Sequence, residues 1–315
     1  MNIVINKNTG LEDSYNTKIG DFIWTQTGYA QVTNKTVFSG DTILYYSNVG
    51  QIYGDNRIIT NGRKIKASDT KSIDMIFGPH CDKITHDPKI IMDGLMIGDG
   101  SLYAKRDIHL NIGKKDMDYF ESEVRGLIGR KHPSTHDLGW FVDTNITVDE
   151  LPYLPVRCVP DRYICGATKD VAASFLRGLF SANGTISNNK VSLRSTCFKL
   201  ISQVQLMLGY LGIRSYYSYN KPRLIKWENG DYTSKEAWDL CVNQDRNKYY
   251  KIIGFLQKYK MVKLTSAVRS IKKSDSKVNF SIERKEPLNI INLASLKVDN
   301  KWNTYWCNCL NICGI

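Results

Sequence analysis

Apolar and polar positions repeat along this chain. Residues 91–100 and 175–184 are both short apolar stretches that end at a glycine, a pattern typical of a helix with a left-handed glycine cap. Alternating apolar and polar residues follow each stretch and predict a β-hairpin. A second apolar helix pattern then ends at Gly129 in one copy and at Gly212 in the other. The chain therefore contains an internal helix–hairpin–helix repeat.

The first helices of the two repeats are predicted to pack closely against each other. Small residues lie four positions apart on one face of each helix: Gly94 and Gly98, then Gly178 and Ala182. Residues at this spacing let two helix backbones approach, a rule best documented in membranes but steric in origin. Helices that cross there bring their C-terminal ends together, and those ends carry Asp99 and Asn183.

Asp99 lies where a carboxylate is slightly unfavourable. The C-terminal end of a helix carries partial negative charge, which costs an acidic residue about 0.3–1 kcal/mol. A bound divalent cation would reverse the sign of that interaction. The alternative needs no chemistry, because Asp-Gly and Asn-Gly are both common turn dipeptides. Both readings stay open for each helix end taken alone, and the repeat favours the metal site.

The charge of the chain indicates a class of partner. The 315 residues include 43 Lys and Arg against 31 Asp and Glu, which gives a net charge of +12. This balance favours a polyanionic partner, and nucleic acid is the commonest. The length fits two domains or one large one. With neither a membrane-spanning apolar run nor a signal peptide, we expect an intracellular location, in the cytoplasm of a host or phage-infected cell.

The polar face of the hairpins is the predicted nucleic-acid surface. In the second hairpin Lys190, Ser192 and Arg194 alternate with apolar residues and would face outward. A two-stranded ribbon fits the major groove of DNA, where Arg and Lys read guanine edges. The alternative is a polar face that is merely solvated. The candidate DNA contacts are Lys105, Arg106, His109, Asn111, Lys190, Ser192, Arg194, Lys221 and Arg223.

The two glycine-ended motifs and their hairpins resemble the paired dodecapeptide motifs of the LAGLIDADG (DOD-type) homing endonucleases, particularly those carried within inteins. The resemblance covers residues 87–264 and implies an α+β fold, a pseudo-symmetric αββαββα core. It implies a monomer whose two saddle-shaped sheets straddle double-stranded DNA. It also implies that the last acid of each motif binds a divalent cation, usually Mg²⁺, for phosphodiester hydrolysis. The implied metal-site residues are Gly98, Asp99, Ala182 and Asn183.

Asp99 matches the expected catalytic acid, whereas its partner Asn183 departs from the pattern of the family. An amide supplies no charge, and hard cations are normally held by a carboxylate, so weakened or nicking activity is predicted. Phosphodiester cleavage usually also needs a nearby lysine. The candidates by position are Lys114, Lys115, Lys258 and Lys260, and the alternative for each is a solvated or phosphate-contacting residue.

The segments around the repeats resemble the two ends of an intein splicing domain. Residues 39–42 (Ser-Gly-Asp-Thr) are similar to an intein opening, but Val37 stands where that family has a Cys or Ser nucleophile. At the other end Asn311 is followed by Ile312 and only then by Cys313. Acyl transfer and cyclisation therefore lack their reacting groups. The alternative is an ordinary β-rich accessory domain.

These observations predict a domain plan and a function. Residues 1–36 form an N-terminal segment of unknown role, residues 37–88 with 265–315 form a degenerate, β-rich Hint-like domain, and residues 89–264 form the endonuclease core, with repeats at about 89–165 and 170–264. The predicted function is site-specific cleavage of double-stranded DNA by a homing endonuclease of a mobile element. Two alternatives stay open. One is an intein that still splices, and the other, which Asn183 favours, is a non-cleaving nucleic-acid binder such as an RNA maturase.

Overall fold

A computed structural model describes residues 3–6, 9–54, 56–74, 78–79, 81, 83–131, 139–226, 230–270, 277–289, 292–301 and 303–314. These residues form a mixed α/β structure in which several small antiparallel sheets pack with helices, so the predicted α+β class is confirmed in this coarse form. Within the same ranges, no helix is long and apolar enough to cross a membrane.

The secondary structure of the described residues is as follows. The helices are α1 (Pro88–Asp99), α2 (Met117–Val124), α3 (Lys169–Asn183), α4 (Phe198–Tyr210), α5 (Arg246–Ile252) and α6 (Lys258–Arg269). The strands are β1 (Ile3–Asn6), β2 (Gly10–Asp13), β3 (Phe22–Thr25), β4 (Gly28–Phe38), β5 (Thr42–Ser47), β6 (Gly50–Tyr53), β7 (Arg57–Thr60), β8 (Arg63–Lys66), β9 (Ser72–Asp74), β10 (Gly100–Tyr103), β11 (Asp107–Asn111), β12 (Ile128–Lys131), β13 (Gly139–Val142), β14 (Gly184–Ser187), β15 (Lys190–Ser195), β16 (Tyr216–Asn220), β17 (Leu224–Ile225), β18 (Tyr232–Thr233), β19 (Ala237–Val242), β20 (Lys277–Asn279), β21 (Ile282–Leu288), β22 (Leu293–Val298), β23 (Thr304–Cys307) and β24 (Leu310–Cys313).

The middle of the chain holds two four-stranded sheets with the same strand order. One follows α1 and has the order β10-β11-β13-β12, and the other follows α3 and has the order β14-β15-β19-β16. In both, a helix (α2 or α4) lies between the second and third strands along the chain. Apolar side chains of α1, α3 and α4 pack with both sheets in one buried core. This arrangement places the C-terminal ends of α1 and α3 next to the sheets.

The two ends of the chain form a β-rich region with its own buried core. Its largest sheet has nine strands, in the order β22-β4-β3-β1-β23-β24-β7-β8 with β2 paired to β1. The boundary predicted at residue 36 falls inside β4, and β1 pairs with β23 through Val4 and Cys307. The N-terminal segment is therefore part of this sheet. Pairing between distant strands satisfies their backbone groups and leaves no local signal in the sequence.

Three helix ends differ from the prediction. Gly100 and Gly184 have φ of −67° and −80°, so both continue as extended backbone into a strand and neither is a left-handed cap. Glycine is still required there, because an added Cβ would lie 2.3 Å from Met96 O at Gly100. Helix α2 ends at Val124, before the predicted Gly129, because the left-handed Gly126 (φ 76°) interrupts it.

Candidate active site and nucleic-acid surface

Helices α1 and α3 pack with their backbones in direct contact. An added Cβ on Gly94 would lie 2.1 Å from Phe175 O, and one on Gly178 would lie 2.0 Å from Ile91 O. These contacts are related by a pseudo-twofold axis, because each glycine faces the carbonyl three residues before the other. Both helices start at a fixed point, since the side chains of Asp87 and Thr168 accept hydrogen bonds from the backbone of the first turn.

The C-terminal ends of the two helices meet. Gly98 lies so close to Ala182 that an added Cβ on Gly98 would come within 2.4 Å of the Ala182 Cβ. Asn183 Nδ2 donates a hydrogen bond of 3.1 Å to Gly98 O. The structure thus brings Gly98, Ala182 and Asn183 together, with Asp99 as the next residue of α1. Gly98 O accepts this one hydrogen bond and keeps a second lone pair.

One cation binds each helix end, and the two do so in the same way. Arg157 donates to the carbonyl groups two residues before and one residue after Asp99. Lys260 donates to the carbonyl groups at the same two positions relative to Asn183. The hydrogen bonds are Arg157 Nη1 to Ile97 O (3.4 Å) and Gly100 O (2.9 Å), and Lys260 Nζ to Ser181 O (2.7 Å) and Gly184 O (2.9 Å). These cations interact favourably with the negative ends of the helix dipoles.

The sequence identified Lys260 only as one of four lysines, and it missed Arg157 altogether. Arg157 comes from an irregular connector and Lys260 from α6, so no shared pattern marks them. Of the other three candidates, Lys115 stacks over the ring of Tyr259, with Nζ 4.6 Å from the ring centroid. Lys114 is exposed, and Lys258 is the first residue of α6. Only Lys260 among the four has a hydrogen bond to a helix end in the described structure.

Burial dominates the electrostatics at these helix ends. It raises the pKa of the Asp99 carboxyl, although the charges of Lys260 and Arg157 oppose the shift. It lowers the pKa of Lys260 to about 8, against the opposing effect of Asp116 and Asp99. It also lowers the pKa of Arg157. A raised carboxyl pKa and a lowered lysine pKa are the shifts expected where burial keeps charged groups out of water. Such shifts are common at functional sites.

The donor atoms fit one hard cation rather than two. Asp99 supplies a carboxylate, the ligand that Mg²⁺ requires, and Asn183 supplies no second one. In the parts of the chain that the structure describes, no group of three or more His, Cys, Asp or Glu side chains could hold a metal. A single Mg²⁺ at Asp99 would therefore take its remaining ligands from water and from substrate phosphate. A second ion beside Asn183 does not fit.

A buried glutamine is an additional polar group at the end of α3. Gln257 Nε2 donates to Ser181 O (2.9 Å), and Leu256 N donates to Ser181 Oγ (2.9 Å). Gln257 Oε1 is buried and has no hydrogen-bond partner among the described residues. A buried acceptor of this kind needs a donor such as a water molecule. Nothing in the sequence indicated that Gln257 would be buried at the end of α3.

The second sheet presents the predicted polar face, but its cations are paired within the protein. Arg194 makes a bidentate ion pair with Asp239, with distances of 2.7 and 2.8 Å, and Asn220 Nδ2 adds a bond of 2.9 Å to the same carboxylate. The hydrogen bonds from Arg194 lower the pKa of Asp239. Lys190 Nζ donates to Tyr216 OH (2.9 Å). Asp239 and Asn220 lie on neighbouring strands and could not be paired with Arg194 from sequence alone.

The first sheet presents fewer of its predicted contacts. Lys105 and Arg106 are exposed in the β10–β11 turn, where Lys105 has a φ of 60°. Asn111 Nδ2 donates to Ser101 Oγ (2.9 Å). His109 was expected to face outward, yet it is only 8% exposed. β11 is an inner strand of this sheet, between β10 and β13.

Ser192, Lys221 and Arg223 complete the predicted contacts. Ser192 lies in the middle of β15 between Thr185 of β14 and Cys241 of β19. Lys221 and Arg223 are exposed between β16 and the short β17–β18 hairpin. This hairpin lies along the chain between β16 and β19 of the second sheet.

One protein family resembles part of this chain. Residues 170–253 match the family model of the LAGLIDADG-like domain. The matched residues include nearly all of α3, the second sheet and α5. The match supports a nuclease-like or DNA-binding role and carries no information on the metal or on activity.

Two curated relatives match over longer stretches. The chain is 25% identical over 263 residues to the glutamine–fructose-6-phosphate aminotransferase [isomerizing] of Methanocaldococcus jannaschii, covering 73% of this chain and 20% of the relative. It is 26% identical over 212 residues to the DNA polymerase of Thermococcus hydrothermalis, covering 60% of this chain and 12% of the relative. The chain thus spans a fifth or less of the length of these relatives.

One solved structure also matches. It belongs to a study of mesophilic variants of the homing endonuclease I-DmoI, and it shares 12% identity with this chain at a TM-score of 0.30. The match covers 53% of this chain and 95% of that one.

Proposed function

We propose that this chain is a site-specific DNA-binding protein of LAGLIDADG type with a weak, Mg²⁺-dependent nicking or cleaving activity. The observation that carries the proposal is the pseudo-symmetric helix pair, whose ends combine Asp99, Asn183 and one cation each. Two sheets of the same strand order flank that pair, which supports a two-repeat core acting as a monomer on double-stranded DNA. The net charge of +12 supports a polyanionic partner.

The side chains at the helix ends suit phosphodiester hydrolysis. Asp99 would hold the cation, which when bound supplies Lewis-acid activation of water and phosphate. Arg157 and Lys260 place positive charge on both sides of the position that a scissile phosphate would take. Lys260 Nζ, with its pKa lowered to about 8, can hold or release a proton near neutral pH. Asn183 contributes hydrogen bonding without charge, so the strand served by the second motif is cut poorly.

DNA binding is expected to be steeply salt-dependent, because cations on two sheets displace many counterions from the duplex. The association constant for a random-sequence duplex should fall at least about 100-fold between about 50 and 200 mM salt. Fluorescence anisotropy of a labelled duplex measures this directly. Lys221→Ala with Arg223→Ala should make the slope shallower, whereas Lys35→Ala on β4 of the β-rich region should not. A salt-independent constant for the parent protein would contradict DNA binding through the sheets.

We also propose that the β-rich region is a degenerate, intein-like frame around the core. The names of the two curated relatives describe unrelated chemistry, and each is matched over a minor part of its length, which supports a segment inserted into different hosts. Residues 39–42 and Cys313 line one cavity of about 610 Å³. This juxtaposition supports an ancestral splicing centre. The side chain of Asn311 lies outside the described part of the structure.

Splicing is expected to fail. Val37 has no nucleophilic side chain. It lies in strand β4, where its partner on β22 is Ala294. Expression between two foreign flanking domains should give only the unspliced precursor on a denaturing gel, while an active intein between the same flanks gives the ligated product. A ligated product from this chain would establish the alternative, a working splicing element.

Asn183 favours the other alternative, a non-cleaving nucleic-acid binder. Absence of nicking with either Mg²⁺ or Mn²⁺ would support it.

A further inference from the structure

An exposed apolar turn lies beside the proposed active site. Tyr153, Leu154 and Val156 are 70%, 57% and 48% exposed. They belong to a 3₁₀ turn over Leu154–Val156, closed by hydrogen bonds from Val156 N to Tyr153 O (3.1 Å) and from Arg157 N to Leu154 O (3.2 Å). Single exposed apolar residues are normal on protein surfaces. Three in one four-residue turn need an explanation.

The base of this turn is fixed to the end of α1. The buried Arg157 donates through Nε to Pro152 O (3.1 Å), and through Nη1 to Gly100 O (2.9 Å), the residue after Asp99. One guanidinium therefore joins the start of the turn to the end of the helix that carries Asp99.

The connector on both sides of the turn is also held rigidly. Asp93 of α1 accepts hydrogen bonds from Asn145 N (2.7 Å) before the turn and from Tyr163 OH (2.6 Å) after it. Gln203 of α4 exchanges two hydrogen bonds with the backbone of Val159. A backbone anchored at this many points can present apolar side chains to a ligand without first losing loop entropy.

The geometry of duplex DNA places a minor groove opposite this turn. If the two sheets occupy major-groove segments on the same side of the duplex, those segments are one helical turn apart, and the minor groove faces the protein between them. The ends of α1 and α3 continue directly into β10 and β14, one strand of each sheet, and Arg157 ties the turn to the end of α1. Apolar side chains inserted from the minor groove unstack base steps and kink the duplex.

We infer that Tyr153, Leu154 and Val156 form an apolar wedge that enters the minor groove near the middle of the DNA site and unstacks a base step. The inference rests on the proposed DNA-binding function. The wedge acts from one half only, because the matching cation of the other half, Lys260, comes from a regular helix instead of a turn. The distortion should therefore lie off-centre, on the side of the site that the first sheet contacts.

The test uses the full chain and a duplex that the parent protein selects from a randomised pool. 2-Aminopurine is placed at each position of that duplex in turn, and its fluorescence reports unstacking. We expect an increase of about threefold or more at one or two adjacent off-centre steps with the parent protein. Tyr153→Ser with Leu154→Ser should abolish that increase and leave the salt slope of binding unchanged. Leu154→Met keeps an apolar tip and should retain the signal.

Two controls match the exposed positions. Ile19→Ser removes an equally exposed apolar side chain, 62% exposed, from the β-rich region and should leave the signal intact. Val262→Ser removes an exposed apolar side chain from α6. It tests whether the wedge acts from the first half only. A parent protein that selects no duplex would overturn the proposed function along with the wedge. Selection of a duplex without any local unstacking, or a signal that survives Tyr153→Ser with Leu154→Ser, would overturn the wedge alone.

Discussion

Replacing Asp99 by Asn is expected to reduce nicking of supercoiled plasmid at least about 100-fold, because it removes the carboxylate at the end of α1. The dissociation constant for DNA should change less than about threefold, since the sheet surfaces are untouched and the overall charge hardly alters. Nicking is measured on plasmid carrying the selected site, with Mg²⁺ or Mn²⁺. A variant that cuts as fast as the parent would place the active site elsewhere.

The reverse substitution tests the second motif. Asn183→Asp supplies the missing carboxylate, and it should raise cleavage, above all of the strand that the parent cuts slowly. The gain will be limited by local structure, because Asn183 Nδ2 now donates to Gly98 O and a carboxylate cannot. The two oxygens would instead repel, and α1 and α3 must adjust unless a cation lies between them.

The pH profile of nicking should be bell-shaped. Burial raises the pKa of Asp99, so activity should decline on acidification at a pH above the ordinary Asp value of about 3.9. On the alkaline side it should decline through about pH 8, where Lys260 loses its proton. Lys260→Arg keeps the charge and should move the alkaline limit upward. A profile that is flat from pH 7 to about pH 10 would exclude a role for the charged lysine.

Thermal stability separates a chemical effect of Asp99→Asn from unfolding. Burial disfavours the charged form of the Asp99 carboxyl in the folded state and so raises its pKa. Protonation therefore stabilises the fold at low pH, and this contribution is lost as the pH rises through the raised pKa. The amide removes the unfavourable charge, so Tm at pH 7 should be unchanged or slightly higher than that of the parent.

Local pattern was enough to find the elements that carry the site. The apolar stretches ending at Gly100 and Gly184 are α1 and α3, and the alternation after them is the β10–β11 and β14–β15 hairpins. The four-residue spacings of Gly94 and Gly98, and of Gly178 and Ala182, mark the face on which the helices meet. Each of these features is encoded within about ten residues, the range over which periodicity is informative.

Long-range features were not accessible in this way. Arg157 binds the end of α1 across 57 residues of chain, and nothing in its own neighbourhood distinguishes it from other cations. The burial of His109 is not indicated by the alternating pattern of β11. The N-terminal strands join the C-terminal ones in a single sheet, a pairing without any local trace. The resemblance to an endonuclease family predicted roles for Asp99 and Asn183. It did not predict which side chains surround them.

The asymmetry between the two halves follows from the same contacts. Each helix end has one cation, yet α1 ends with an acid and α3 with an amide. An exposed apolar turn lies next to the end of α1, and the buried Gln257 lies at the end of α3. A protein with these differences would bind an asymmetric DNA site and treat its two strands differently. This agrees with nicking as the expected activity.

The largest loss of stability is expected from a methyl group at the helix crossing. Gly94→Ala or Gly178→Ala would place a Cβ about 2 Å from a backbone carbonyl of the other helix, and backbone cannot rotate away as a side chain can. The helices must separate through the middle of the core, which should cost about 3 kcal/mol or more. Tm should fall by at least about 5 °C, measured by calorimetry. DNA nicking should be lost as well, because the separation moves Asp99 away from Asn183.

Gly113→Ala is the matched control for this experiment. Gly113 is exposed and an added Cβ there would meet no atom within 4 Å, so its effect should stay within about 0.5 kcal/mol. The double variant Gly94→Ala with Gly178→Ala should cost less than the sum of the two single changes. The reason is that each glycine faces the backbone beside the other, so one separation of the helices relieves both clashes. Strictly additive losses would mean that the two clashes are relieved independently, which contradicts a single rigid crossing of α1 and α3.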